Sequence, residues 1–194
     1  MLNYGKKDAE TALKNLHELS LYEKKKELML NIPVNINKLC NRLASVIQTH
    51  CRRSVTSIFQ TEFPDDFIIL TNTEALEKLL MYLLNNSARF TKEGFICLKC
   101  SDTEKYVRFS ITDTSPVIDH QIDEDIADNT SQYSIVSLNI CQSICRLLYG
   151  QVWYDEDYTK GARFIIEIPK RTKTDNQKTT DSLWVRNKKL LQED

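Results

Sequence analysis

Two stretches of the sequence place polar side chains where a ligand could meet them. In the first, residues 73–91, leucines recur every three to four positions and predict a helix of about five turns with one apolar stripe and Thr73 as its N-cap. Asn86 falls at the border of that stripe, and Tyr82 and Arg89 lie on the polar side. A half-buried amide needs a partner, which is either a backbone carbonyl or a ligand. Both interpretations of Asn86 stay open.

The second stretch is a predicted strand, residues 106–113, that ends in a carboxylate. Val107, Phe109, Ile111 and Asp113 alternate with the remaining residues and therefore share one face of the strand. A carboxylate at the end of an apolar face can accept a hydrogen bond inside a pocket. It can also simply form the turn that follows the strand. Both interpretations of Asp113 stay open as well.

The histidine and cysteine residues are weaker candidates for a functional site. His17 lies in a helical pattern and is expected to be an ordinary surface histidine. Six cysteines include a C-x-x-C and a C-x-x-x-C spacing, so a metal or redox site has to be considered. The first pair would point to opposite faces of a strand and the second pair lies in an apolar helix, so core thiols of a cytoplasmic protein are favoured. The cysteines are Cys40, Cys51, Cys97, Cys100, Cys141 and Cys145.

Composition excludes several classes of function. The chain has 194 residues, of which 41% are hydrophobic, which is enough for one globular domain with extensions. Its formal net charge of −1 gives no basic stripe for nucleic acid. No apolar run approaches the roughly 18 residues that would span a bilayer, and we find no signal peptide.

The order of predicted elements defines three parts. Residues 1–32 form a leucine-seamed N-terminal helix that suits packing against a partner helix. Residues 33–169 read as helix, two strands, the helix at 73–91, two strands, a further helix ending near Gly150, and a closing hairpin, with Asn35 or Asn37 capping the first helix. Residues 170–194 form a polar linker and a short C-terminal helix that carries Trp184.

Within this order of elements, one segment is informative about the family: LLMYLLNNSARFTKEGFICLKC. It resembles the N-box helix and following strand of the histidine kinase ATPase domain, the fold shared with gyrase and the heat-shock chaperone ATPases. The family typically reads Asn-Leu-Leu-x-Asn-Ala-x-Lys-Phe-Thr-x-x-Gly-x-Ile, and Asn86, Arg89 and Gly94 fall in step with it. Tyr82 stands where the family has its first Asn, and Ser87 stands where it has Ala. The resemblance extends from about residue 16 to residue 169.

The resemblance implies a cofactor and a set of site residues. The cofactors would be ATP and Mg²⁺, with Asn86 holding the metal, Arg89 the phosphates, Asp113 the adenine amino group, and Tyr82 standing at the first Asn position. The N-terminal segment resembles the end of a kinase dimerisation hairpin. His17 has the His-Glu-Leu sequence of a phosphoacceptor but lacks the Arg-Thr-Pro that follows it in the family.

The glycine boxes of the family are missing. Average usage predicts about thirteen glycines in a chain of this length, and the sequence has four. Ser115 and Val117 stand at the two glycine positions that follow Asp113, with Pro116 between them, and these residues oppose close approach of the backbone to a ligand. The lid segment, 119–132, is acidic and has no lysine or arginine to neutralise a triphosphate.

We therefore predict a two-layer α/β sandwich, a mixed sheet of about five strands with three helices on one face, preceded by a helix. The leading functional hypothesis is a divergent ATPase-type domain of a sensor histidine kinase, with a degenerate nucleotide site and a role in signalling or protein interaction. One alternative is an active kinase domain with a diverged lid. Another is a phosphotransfer protein that uses His17.

The expected partners are proteins: the chain's own dimerisation helix in a homodimer, and a response regulator or a sensor module. Nucleic acid is not expected. The predicted location is cytoplasmic, including the cytoplasmic portion of a membrane sensor, in which case contact with the membrane would come only through the parent receptor.

Overall fold

The computed structural model describes residue 17 and residues 20–25, 27–116 and 130–171; for 130–137 it describes the backbone alone. The elements in these ranges are β1 (Ile32–Asn35), α1 (Ile36–His50), β2 (Val55–Thr61), β3 (Ile68–Thr71), α2 (Thr73–Phe90), β4 (Gly94–Asp102), β5 (Tyr106–Asp113), α3 (Thr130–Leu147), β6 (Gln151–Tyr154) and β7 (Arg163–Pro169). Residues 20–24 before them are helical. No helix in the described ranges is long and apolar enough to cross a membrane.

The main sheet has five strands in the order β2-β4-β5-β7-β6. The β2–β4 pair is parallel, and the other three pairs are antiparallel. The three helices cover one face, which confirms the predicted mixed sheet and two-layer architecture. The alternation predicted for β5 is confirmed too, because Val107, Phe109, Ile111 and Asp113 are all buried.

Helix α2 forms the centre of the helical layer. Its five leucines, at positions 76, 79, 80, 83 and 84, are each at most 1% exposed, as the 3.6-residue period predicts. The prediction of Thr73 as N-cap is wrong: the cap is Asn72, whose side chain accepts a hydrogen bond from the Ala75 N–H at 2.9 Å. Ser87 is buried on the apolar stripe, whereas its neighbour Ala88 is only partly buried.

Strands β1 and β3 form a separate two-stranded antiparallel sheet, which the sequence did not reveal. Pro33 lies opposite Leu70 in this pairing. The Leu70 N–H donates to the Arg171 carbonyl at 2.8 Å, away from β1, so the position opposite it requires no donor. Proline, which has no N–H, is tolerated there. Asn35, one of the two predicted N-caps of α1, does cap it by accepting from the Lys38 N–H.

The end of the N-terminal segment packs onto the helical layer. Tyr22 and Leu30 belong to the same buried cluster as the leucines of α2. The Lys78 ammonium lies 5.5 Å from the centre of the Tyr22 ring, a cation–π contact. Asn72 also donates from its side-chain amide to the Met29 carbonyl at 3.2 Å. The start of α2 therefore contacts the N-terminal segment, whereas the C-terminal end of α2 lies beside the last residues of β5.

Candidate functional site

Asp113 is the buried acid at the centre of the candidate site. It ends β5, it is 2% exposed, and its neighbour on β4 is Ile96. Its Oδ1 atom accepts hydrogen bonds from the Ser115 N–H at 2.9 Å, the Ser115 hydroxyl at 2.6 Å and the Ala162 N–H at 3.3 Å. Its Oδ2 atom accepts none from any described residue. One oxygen of this carboxylate is therefore fixed by hydrogen bonds from Ser115 and Ala162.

Gly161 allows the closing strand to reach Asp113. The Asp113 N–H donates to the Ala162 carbonyl at 2.9 Å, so the two backbones lie against each other. A Cβ at position 161 would lie 1.9 Å from the Asp113 carbonyl oxygen, and the Gly161 φ of +151° is one that side-chain-bearing residues rarely adopt. Glycine is required here because both the contact and the dihedral exclude a side chain.

Two buried hydroxyls at the end of α2 have no hydrogen-bond partner among the described residues. They belong to Ser87 and Thr91, which are 2% and 0% exposed. The two residues are four apart, so they lie on one face of the helix, the buried one. Thr91 is three residues before Gly94, whose position lies against Thr114, directly after Asp113. The two hydroxyls and Asp113 therefore belong to the same end of the sandwich, between the helices and the sheet.

Two aromatic rings lie beside this end of the sheet. Tyr154 and Phe164 meet edge to face with ring centres 5.3 Å apart. Burial raises the pKa of the Tyr154 hydroxyl, and the negative charges of Asp113, Asp155 and Glu156 raise it further. The Tyr154 hydroxyl is thus close enough to Asp113 to respond to its charge. Oxygen acceptors, hydroxyls and flat apolar rings together suit a heteroaromatic ligand.

We expect the raised Tyr154 pKa to appear in the pH dependence of stability. A tyrosine whose folded pKa lies above its unfolded value contributes stability that is complete below about pH 10 and is lost as pH rises through the folded pKa. Urea unfolding from pH 8 to pH 11 should therefore show a steeper alkaline loss for the natural chain than for Tyr154→Phe. Parallel curves for the two proteins would contradict this assignment.

The other predicted site residues all lie on α2. Asn86 is half-buried, and no described residue hydrogen-bonds its side-chain amide. Tyr82 is half-buried and packs against the core cluster. Arg89 is exposed, with its guanidinium 5.7 Å from the centre of the Phe90 ring. Their predicted roles toward ATP and Mg²⁺ stay predictions. Among the described residues no group of three or more His, Cys, Asp or Glu side chains could hold a metal ion.

His17 and the six cysteines do not belong to this site. His17 is an exposed helical residue, as predicted. Cys40 and Cys100 are buried with sulfurs 3.5 Å apart, and the Cys40 thiol, together with burial, raises the Cys100 pKa. Burial also raises the pKa of Cys145 to about 12. These three are core thiols as predicted, and so is Cys141. The prediction is wrong for Cys51 and Cys97, which are only partly buried.

The segment after Asp113 offers no backbone donor to a phosphate. The Thr114 N–H donates to the Phe95 carbonyl at 3.2 Å, and the Ser115 N–H donates to Asp113 Oδ1. Pro116 has no N–H. Phosphate sites in proteins are commonly built from just such groups, free N–H donors at turns and helix starts. Residues 114–116 therefore leave no free backbone N–H group for a phosphate.

A cavity of about 530 Å³ also lies on the opposite, helix-free face of the sheet. Its lysine and arginine side chains are paired with acids: Lys99 with Glu62, Arg108 with Glu167, and Arg163 with Asp155. A carboxylate already neutralises each of these charges. We do not assign the site to this face, because the unpartnered buried oxygens lie on the other one.

Sequence reasoning missed four residues of the site. Ser87 and Ser115 were noted only as departures from the family pattern, and Thr91 only as a match to it. Tyr154 was assigned only to the closing hairpin. The signal for Ser87 was its place on the apolar stripe, four residues before Thr91. Nothing in the sequence indicates that Ser115 binds Asp113 or that Tyr154 lies beside it.

Comparison with known proteins agrees with this geometry. The family described as histidine kinase-, DNA gyrase B- and HSP90-like ATPases matches residues 71–172. The adaptive-response sensory kinase SasA of Nostoc sp. strain PCC 7120 is 31% identical over 121 residues, 57% of this chain and 30% of that protein. SasA of Microcystis aeruginosa is 27% identical over 145 residues, 69% of this chain and 38% of that protein. The chain thus spans well under half the length of these relatives.

Solved structures show the same fold. The full-length ShkA structure in complex with AMPPNP has a TM-score of 0.69 at 21% identity, covering 84% of this chain and 36% of that one. The catalytic domain of the histidine kinase ThkA has a TM-score of 0.60 at 24% identity, covering 72% of this chain and 95% of that one. The chain belongs to the family of histidine kinase-, gyrase B- and HSP90-like ATPases. Residues 71–172 form a histidine kinase-like ATPase domain.

Proposed function

We propose that this chain is a divergent ATPase-type domain of a two-component sensor kinase, with a degenerate nucleotide site, and that it acts in signalling through protein contacts. The observation that carries the proposal is the closed segment after Asp113. There Ser115 gives its N–H to the carboxylate, and Thr114 and Pro116 have none to offer a phosphate. A kinase must hold the transferred phosphoryl group in place, because catalysis of its transfer is mostly positioning and charge stabilisation.

The charge of the neighbouring sequence supports the same proposal. Residues 117–129, which lie outside the described ranges, carry five carboxylates and no lysine or arginine. Five negative charges in this segment would oppose the approach of a triphosphate. Family members bind ATP with Mg²⁺; if residual nucleotide binding survives here, we assign Asn86 to the metal, Arg89 to the phosphates and Asp113 to the base.

Exposed apolar side chains in the N-terminal segment suit contacts with another protein. Leu21 and Met29 in the N-terminal segment are 55% and 69% exposed, which is unusual for large apolar side chains. This supports the pairing of the first part, residues 1–32, with a partner helix in a homodimer. Domain boundaries at 1–32, 33–169 and 170–194 are part of the proposal. ThkA has been solved in complex with the response regulator TrrA, at a TM-score of 0.67 and 23% identity to this chain. A response regulator is the corresponding proposed partner here.

A phosphorylation assay tests the loss of kinase activity. The chain is mixed with radiolabelled ATP, Mg²⁺ and a separately purified dimerisation hairpin that carries an acceptor histidine. The catalytic domain of ThkA with its own hairpin serves as the positive control. We expect the chain to transfer no label to the added hairpin, under conditions in which the ThkA domain labels its own hairpin. Mg²⁺-dependent labelling by the chain would show an active kinase and overturn the proposal.

A further inference from the structure

The last described residue, Arg171, lies against strand β3. The Leu70 N–H donates to the Arg171 carbonyl at 2.8 Å, on the edge of β3 opposite to the one that pairs with β1. The Arg171 guanidinium lies 4.6 Å from the centre of the ring of Tyr149, which is in the turn between α3 and β6. The segment that follows Arg171 therefore starts at a surface formed by β3 and this turn.

Two large apolar side chains at this surface are open to solvent. Ile68 is 51% exposed and Tyr149 is 60% exposed. Ile68 precedes Leu70 by two residues and so lies on the same face of β3, and the Tyr149 ring contacts the side chain of Arg171. We call Ile68 and Tyr149 the terminal patch. Exposed apolar side chains grouped around one point are typical of contact surfaces, so the patch suits an apolar partner.

The sequence after Arg171 contains apolar residues that fit such a surface. Residues 172–194 lie outside the described ranges; residues 172–182 are polar throughout, and apolar residues follow at helical spacing. Trp184 is the largest of them, and its broad ring with a polar N–H is the kind of side chain that anchors protein contacts. The residues that would share one helical face are Leu183, Trp184, Leu190 and Leu191.

Covalent attachment favours the chain's own tail as the occupant of the patch. Trp184 is 13 residues beyond Arg171, and an extended connection of this length spans roughly 40 Å. That reach is ample, because the tail begins beside the patch itself. A group tethered by a short flexible linker has an effective concentration at its site of about a millimolar. A separate molecule at micromolar concentration would therefore compete poorly with the tail.

We propose that residues 172–194 dock on the terminal patch of the same chain, with Trp184 covering Ile68 and Tyr149. The docked tail links β3 to the turn between α3 and β6. Because β3 leads into α2 through the single residue Asn72, the tail also restrains the start of that helix. The inference is separate from the proposed function, since it requires neither a nucleotide nor a response regulator.

Fluorescence quenching of Trp184 in the full chain tests the inference. The sequence has two tryptophans, so Trp153→Phe leaves Trp184 as the single reporter. We expect an acrylamide quenching constant about threefold or more below that of a free peptide of residues 172–194, and the same constant at low and high protein concentration. Equal quenching in the chain and the peptide would overturn the inference. Protection that appears only at high protein concentration would place Trp184 on a second copy and overturn it as well.

Ile68→Asp, made in the single-tryptophan chain, locates the contact. A carboxylate at this position would lose its hydration beneath a tryptophan ring, which is unfavourable, so we expect the quenching constant to rise to the peptide value. Val46→Asp makes a similar change near the C-terminal end of α1, where Val46 is 36% exposed, and should leave the constant unchanged. Unchanged protection in Ile68→Asp would place the tail elsewhere and overturn the inference.

Tyr149→Asn repeats the test from the other side of the patch. Tyr149 has a φ of 57°, which asparagine adopts more readily than most residues, so the variant keeps the turn and removes the ring. We expect Trp184 to become as accessible to acrylamide as it is in the peptide, and continued protection would overturn the inference. Circular dichroism in urea checks that each variant is folded, and Tyr149→Asn decides the outcome if Ile68→Asp does not fold.

Discussion

Gly161→Ala should lower the free energy of unfolding by about 3 kcal/mol or more. The new Cβ would lie 1.9 Å from the Asp113 carbonyl oxygen, 2.9 Å from its carbon and 3.0 Å from Thr114 Cα. All three are backbone atoms, so no side chain can rotate away to make room. The φ of +151° adds strain of its own. Backbone strain and overpacking each cost about 1–3 kcal/mol, and here they occur together.

Urea unfolding measures the effect, with the exposed neighbour Lys160→Ala as the matched control. A surface substitution of this kind should stay within about 0.5 kcal/mol of the natural chain. A Gly161→Ala chain as stable as Lys160→Ala would show that β7 does not approach Asp113 as closely as described.

Phe109→Ala should cost about 3–5 kcal/mol, the usual range for a fully buried aromatic side chain. Phe109 is 0% exposed on the central strand β5, between Cys100 on β4 and Ile166 on β7. Its ring fills the space between the sheet and the helices, and alanine would leave a cavity that neighbouring strands cannot close. Since domains of this size are stable by only about 5–15 kcal/mol, a large share of the total would be lost.

Phe109→Leu provides the graded comparison for this prediction. Leucine keeps most of the apolar volume, so it should cost about 1.5 kcal/mol or less. Thermal and urea unfolding of the two variants should therefore rank natural chain, Phe109→Leu and Phe109→Ala in order of falling stability. Equal losses for leucine and alanine would mean that the ring makes a specific contact rather than filling volume.

Periodicity was enough to predict the elements around the site. The leucines of α2 and the alternation in β5 reflect which residues are apolar, and that pattern is local to each segment. It placed Asp113 at the buried end of a strand and Asn86 at the border of a helix, as the structure confirms. The helix start was less certain, because Asn72 and Thr73 are both good caps and only the hydrogen bond to Ala75 distinguishes them.

Such local patterns could not predict which strands pair when they are far apart in the sequence. Strand β3 reads like any apolar strand, yet it pairs with β1 in a separate sheet, 33 or more residues away along the chain from its partner. The two strands were brought together by tertiary contacts, since their own composition fits either sheet.

The sequence by itself determined that no glycine lies between Gly94 and Gly150, the part of the chain where the resemblance places the family's glycine boxes. Glycine matters there because it adopts φ > 0 readily and lets a backbone approach a ligand closely. Only the tertiary structure decided what the substituted residues do instead. Ser115 turns both of its donors onto Asp113, while the Ser87 and Thr91 hydroxyls are left buried without partners among the described residues. Hydrogen-bond partners in a folded chain depend on which distant groups meet, and that is settled by packing rather than by local sequence.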